Sequence, residues 1–258
     1  MLSLVLSLQL SSAFLTGIRP EVFDGHTMRF YEGAASVGGG TDVAVFYYPH
    51  SPTSTYLEVD IYNIGLNGRD GGGLEDGHFY FYLLKSETET GIVASRAESY
   101  SGVIEPEGGP WLVRKLPYGH PYRAAFGGFP PVHISGWPQP SIIFTDSQYG
   151  GPWMALANGA ATAWTTVPMT NWIPDNARLG NFIFEVRDAR LGKAGSCYVR
   201  SYNGQATGIL IGSTSPMSPF SFMAIELRVD SSRNIQYRCT PGVALYIQVR
   251  GYAMTEPS

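Results

Sequence analysis

The chain has 258 residues, a formal net charge of −4, 44% hydrophobic residues and only 15% charged ones. No Lys/Arg-rich run is present to give a nucleic-acid partner its electrostatic footprint, and no stretch reaches the 18 or so apolar residues of a membrane-spanning helix. Charged residues usually make up about 25% of a soluble domain, so the low value implies a surface covered by subunit contacts or by uncharged polar groups.

Residues Met1–Leu15 come first. Leu2, Leu4, Leu6, Leu8 and Leu10 alternate with Ser3, Val5, Ser7 and Gln9. A period of two describes a strand with one apolar face, and such a strand must pair with something. No basic segment precedes the apolar run, as it would in a secretory signal. Residues 1–19 are therefore read as an extended assembly arm that docks on a neighbouring subunit or partner. A cleaved signal and a first domain strand are the alternatives.

A first β domain is expected over residues 20–152. Its strand candidates are Val43–Tyr48, Tyr56–Gly65, Gly77–Leu84, Gly91–Ala97 and Trp111–Lys115. Asn67-Gly68 and Asp70-Gly71-Gly72-Gly73 mark a turn-rich loop. The run His78–Leu84 is aromatic on both faces, which predicts cover from the core on one side and from another subunit or a ligand on the other. Residues 117–152 hold seven prolines among seven large aromatics. They are expected to form ordered irregular structure with one short strand, Ser141–Thr145.

The second domain, residues 153–258, reads as a β-sandwich or jelly roll. Phe182, Phe184 and Val186 alternate with Ile183, Glu185 and Arg187, and the same period recurs over 223–230 and 243–250. Asn203-Gly204 between Ser196–Tyr202 and Gln205–Gly212 signals a hairpin. Both domains are thus expected to be antiparallel all-β sandwich-like lobes without a long helix.

Residues that carry chemistry are sparse. The five histidines stand at no metal-ligand spacing, and no nucleophile elbow or phosphate loop occurs. Asp70, Glu75 and Asp76 offer oxygens but fit no calcium loop. They read as a solvated hairpin loop. Glu105 with Glu107, and Glu185 with Asp188, are carboxylate pairs on paper, though an outward-facing strand charge explains Glu185 better. Catalytic residues, cofactors and metals are accordingly given as none. Cys197 and Cys239 read first as two small buried thiols and second as a disulfide. The tryptophans Trp111, Trp137, Trp153, Trp164 and Trp172 read as core or interface first and as sugar platforms second. Trp111, Trp137, Tyr149 and Trp153 are the aromatics singled out for a glycan or an interface.

The segment Trp164-Thr-Thr-Val-Pro-Met-Thr-Asn-Trp-Ile-Pro-Asp-Asn-Ala-Arg178, followed by Gly195-Ser-Cys-Tyr-Val-Arg200, resembles β-sandwich domains in structural proteins of tailed bacteriophages and related gene transfer agents. Tyr62-Asn-Ile-Gly65, Trp111-Leu-Val-Arg-Lys-Leu-Pro117 and His133-Ile-Ser-Gly-Trp-Pro138 share that likeness. The resemblance implies a non-enzymatic virion component, a tail fibre, head spike or receptor-binding part. It would be assembled in the host cytoplasm and then released. Its partners would be further copies of itself (a trimer by analogy with fibres), other virion proteins through the arm, and a host surface polysaccharide, with neither nucleic acid nor membrane insertion. A decoration protein that binds no receptor and a secreted carbohydrate-binding module are the alternatives.

Overall fold

The computed structural model describes residues 15–38, 42–46, 56–124, 127–135, 141–144, 153–175, 177–188, 194–201, 208–215 and 217–254. Among these the regular structure is strand, with one short 3-10 turn at Tyr100–Gly102 and no α-helix. The all-β expectation holds. The arm residues Leu2, Leu4, Leu6, Leu8 and Leu10, the aromatics Trp137 and Tyr149, and the Asn203-Gly204 turn lie outside the described residues.

The chain divides into two compact units, 1–73 with 80–116, and 74–79 with 117–258. The sequence suggested a division at 152/153 instead. The proline-rich stretch belongs with the C-terminal unit because strands within it join that unit's main sheet, which composition does not show.

The first unit holds β1 (Leu15–Thr16), β2 (Pro20–Val22), β3 (Thr27–Tyr31), β4 (Gly33–Val37), β5 (Asp42–Phe46) and β6 (Tyr56–Asp60). It also takes most of β7 (Gly77–Lys85), all of β8 (Thr90–Ser95) and the first half of β9 (Leu112–Tyr122). The sheet orders are β1-β4-β5, β2-β3-β6 and β8-β7-β9. Met28, Phe30, Leu57, Val59 and Phe81 are fully buried, and the Phe30 and Phe81 rings meet at 5.1 Å.

Three expectations are corrected here. The sixth strand stops at Asp60, not Gly65. The Asp60 carboxylate accepts from the Tyr62 backbone N–H at 2.9 Å and from Asn63 Nδ2 at 3.1 Å, which turns the chain out of the extended form. His78–Leu84 is buried on both faces within this chain, so neither a second subunit nor a ligand is needed to cover it. The ninth strand continues through Pro117 and Pro121 to Tyr122. It is the outer member of its three-stranded sheet. The two prolines are four residues apart, so their missing donors fall on the same side of the strand, and a strand with one sheet neighbour among the described residues has a side where it tolerates them.

The second unit continues with β10 (Val132–Ser135), β11 (Ser141–Phe144), β12 (Met154–Gly159), β13 (Thr165–Pro168) and β14 (Ala177–Asp188). Then come β15 (Gly195–Arg200), β16 (Ile209–Thr214), β17 (Phe220–Arg228), β18 (Asn234–Cys239) and β19 (Val243–Met254). A six-stranded sheet has the order β10-β11-β19-β14-β17, with β12 also on β19. A four-stranded sheet has the order β13-β18-β15-β16. The alternating pattern drives both, because Phe182, Phe184, Val186, Val199, Ile235, Leu245 and Ile247 are buried. Gly212 marks a close approach between the sheets, since a Cβ there would lie 2.1 Å from Ser221 Oγ on β17.

Cys197 and Cys239 face each other across β15 and β18 and form a disulfide, so the second reading of the pair replaces the first. Buried histidines also organise this unit. His120 Nε2 donates to the Pro130 carbonyl at 2.9 Å, and its Nδ1 accepts from the Tyr118 hydroxyl at 2.7 Å. Burial lowers the His120 pKa to about 3. The His78 pKa is also lowered to about 3, by burial first and by the nearby Arg123 charge second.

Candidate functional site

The residues first singled out for a ligand are mostly committed to the fold. Trp111 is buried in the first unit and donates its indole N–H to the Pro106 carbonyl at 2.9 Å. Trp153 is buried in the second, stacked on Phe144 with ring centres 4.0 Å apart and 5.6 Å from Trp172. Trp172 in turn carries the Arg123 guanidinium at 4.1 Å. These three are core side chains, as their first reading had it, and neither Trp111 nor Trp153 presents a free ring face.

The carboxylates are equally occupied. Asp70 is buried and accepts from Ser95 Oγ at 2.5 Å and from the Gly72 N–H at 3.0 Å. It organises its loop, which corrects the picture of a wholly solvated hairpin. Asp76 accepts from the Ala124 N–H at 2.8 Å and lies 3.8 Å from Arg123. Glu185 is buried, not freely solvated, because the Arg187 guanidinium clamps it with bonds of 2.6 and 3.0 Å. A cleft of about 400 Å³ in the first unit brings Asp70, Glu105 and Glu107 beside Ile64 and Ile104. Glu105 there accepts from the Tyr100 hydroxyl at 2.9 Å, and burial, with Glu105 second, raises the Tyr100 pKa. Among the described residues no group of three or more His, Cys, Asp or Glu side chains could hold a metal.

The outer face of the four-stranded sheet is different. On β15 Cys197 and Val199 point inward, which turns Tyr198 and Arg200 outward. On β18 Ile235, Tyr237 and Cys239 point inward, which turns Gln236 and Arg238 outward. Register places Tyr198 opposite Arg238 and Arg200 opposite Gln236, with Thr166 of β13 beyond Gln236. A polar chain crosses the strands there. Arg200 Nε donates to Gln236 Oε1 at 2.7 Å, and Gln236 Nε2 donates to Thr166 Oγ1 at 3.2 Å.

Trp164, just before β13, lies against this face. The Arg200 guanidinium carbon is 4.2 Å from its ring centre and that of Arg238 is 4.8 Å away. Arg238 is also 5.3 Å from the Tyr198 ring centre. Arg200 is buried although it sits on the outer side of its strand, while Trp164 and Tyr198 stay half-buried and Arg238 is exposed. Gly208 makes room for the indole, since a Cβ at that position would lie 2.3 Å from Trp164 Cη2. The result is a raft of planar groups with polar edges, held on a sheet that the Cys197–Cys239 bridge cross-links directly beneath it. Planar, half-exposed rings beside fixed donors and acceptors can stack on and hydrogen-bond a sugar.

Sequence reasoning named Trp164 as a second-rank sugar platform but missed Tyr198, Gln236 and Arg238. Their signal was present as the polar half of two alternating strands. Nothing in one strand's period says which other strand lies beside it.

A second surface feature is apolar. Phe220 and Phe222 on β17, each 53% exposed, lie 5.5 Å apart by ring centres. Ile209, Leu210 and Met217 are also exposed. The strand ends its sheet's pairing order among the described residues.

No protein-family model matches the chain, and no curated protein matches it. Among solved structures, a variant of a family 29 carbohydrate-binding module overlaps 48% of this chain and 76% of its own length, with 17% identity and a TM-score of 0.18. That overlap is too slight to bear on fold or ligand.

Proposed function

We propose that this chain is a non-catalytic glycan-binding protein whose ligand face is the outer surface of the β13-β18-β15-β16 sheet. The observation that carries this reading is the Trp164–Arg238–Tyr198 raft beside the Thr166–Gln236–Arg200 hydrogen-bond chain. Sheet faces of this kind hold extended ligands by stacking and by lateral hydrogen bonds, with little reorganisation on binding. Elsewhere, the candidate acids Asp70, Glu105 and Glu185 are engaged with Ser95, Tyr100 and Arg187.

The finer form of the proposal is a virion attachment protein of a tailed phage or phage-like particle. The motifs at 164–178 and 195–200 support it, and they supply part of the ligand face. In this form the chain is a homo-oligomer, anchored through residues 1–19, with the exposed Phe220 and Phe222 available for burial between copies. The direct test is a glycan array probed with the full-length chain and with Trp164→Ala. Binding by the first and its loss in the second is the expected outcome. Equal signals from both would remove this face from the reading.

A further inference from the structure

We infer that the glycan taken by this face is acidic, a polysaccharide bearing carboxylates. The inference rests on the glycan reading above and adds the chemical class of its ligand.

The chain as a whole is acidic, with 21 Asp and Glu against 17 Lys and Arg. The four strands of this sheet depart from that balance. Their only charged residues are Arg200 and Arg238. The neighbouring turn sequences 159–163 and 240–242 hold no charged residue either. At the other end of β18 the closest acid in sequence is Asp230. Its carboxylate accepts from the Ser232 and Asn234 backbone N–H groups at 2.9 and 2.8 Å, so it serves the turn.

Arg238 is the group placed for an anion. It is exposed, it sits between Trp164 and Tyr198, and among the described residues no carboxylate lies within ion-pair distance of it. A guanidinium beside aromatic rings can keep its N–H fork clear of them, and a planar carboxylate can accept two parallel bonds from such a fork. Arg200 adds a second positive charge against the same indole, with its Nε spent on Gln236. Two cations on an acid-free sheet suit an acidic sugar. They are too few for the phosphate contacts that nucleic-acid affinity requires.

The test measures binding of the full-length chain to a polyuronate, a neutral glucan, a sulfated dextran and a single-stranded oligonucleotide, by affinity electrophoresis at low and high salt. The expected result is polyuronate binding at least tenfold tighter than glucan binding, weakened by salt. Arg238→Gln should abolish that preference, with polyuronate affinity falling much further than glucan affinity, whereas Trp164→Ala should weaken both alike. Arg238→Lys keeps the charge without the planar fork and should fall between. Equal affinity for polyuronate and glucan, or an Arg238→Gln variant with the preference intact, overturns the acidic class and leaves glycan binding standing. Preference for the sulfated polymer overturns the carboxylate assignment, and preference for the oligonucleotide overturns the sugar. Failure to bind any polysaccharide defeats the underlying reading.

Discussion

Tyr198 and Arg238 stand directly opposite each other on adjacent antiparallel strands, one residue beyond the Cys197–Cys239 bridge that joins the same strands. A slip of one residue would turn every side chain of the raft into the core, and the bridge forbids that slip. The position of the ligand face is therefore covalently set, and its energetics can be probed one side chain at a time.

Trp164→Ala should reduce glycan affinity by about tenfold, the scale of one aromatic contact with its buried area. Gly208→Val should act in the same direction without touching the ring chemistry, because a branched side chain would drive the indole off the sheet. Calorimetric titration of both variants checks this. An unaltered affinity in Gly208→Val would mean that the observed position of the indole does not matter for binding.

The disulfide encloses a separation of 42 residues. On a chain-entropy basis a loop of that size is worth about 4 kcal/mol of stability. Replacing both cysteines with serine should lower the denaturant midpoint of the C-terminal unit accordingly. Thiol titration of the denatured, unreduced chain should find no free sulfhydryl, and a finding of two would contradict the pairing.

Stability should fall on acidification. The imidazoles of His78 and His120 have folded pKa values near 3 against an ordinary 6.5. Between those values the unfolded chain binds protons that the folded chain refuses. Each histidine's contribution is therefore intact above pH 6.5 and is lost progressively as pH drops towards 3. With both titrating, the slope approaches about 2.7 kcal/mol per pH unit. Urea unfolding across this range measures the slope, and His120→Asn should roughly halve it.

The homo-oligomer proposal predicts a mass several times 28.1 kDa by light scattering for the full-length chain. Phe220→Asp with Phe222→Asp should shift that mass towards one copy if β17 lies between copies. Deleting residues 1–16 should leave a folded chain that no longer joins particles. A wild-type chain that runs as a monomer at high concentration would count against the virion reading.

Much of the second unit was legible because its strands alternate strictly, as at Phe182–Val186 and Met223–Val229. The sequence could not show that β9 runs on through Pro117 and Pro121, because proline is permitted or forbidden by which edge its nitrogen faces. Nor could it show that Trp153 stacks on Phe144 while Trp164 lies on an outer face. Both are tryptophans near strand ends, and their fates differ by which strands the topology brings together. Glu185 taught the same lesson. It faces outward as the alternation requires, yet Arg187 covers it.

The edge of β9 has a further meaning. Pro117 and Pro121 offer no donors there. Between them, the Gly119 carbonyl points to the same side and accepts from the Tyr252 hydroxyl. An incoming strand would meet two missing donors and an acceptor already taken. Tyr118 to Tyr122 are buried as well, so this half of the strand is closed to templated pairing, the route by which exposed strands recruit other chains into aggregates. In a protein made almost wholly of strands, and proposed to crowd together in many copies, that is one stretch fewer through which copies could pair by mistake.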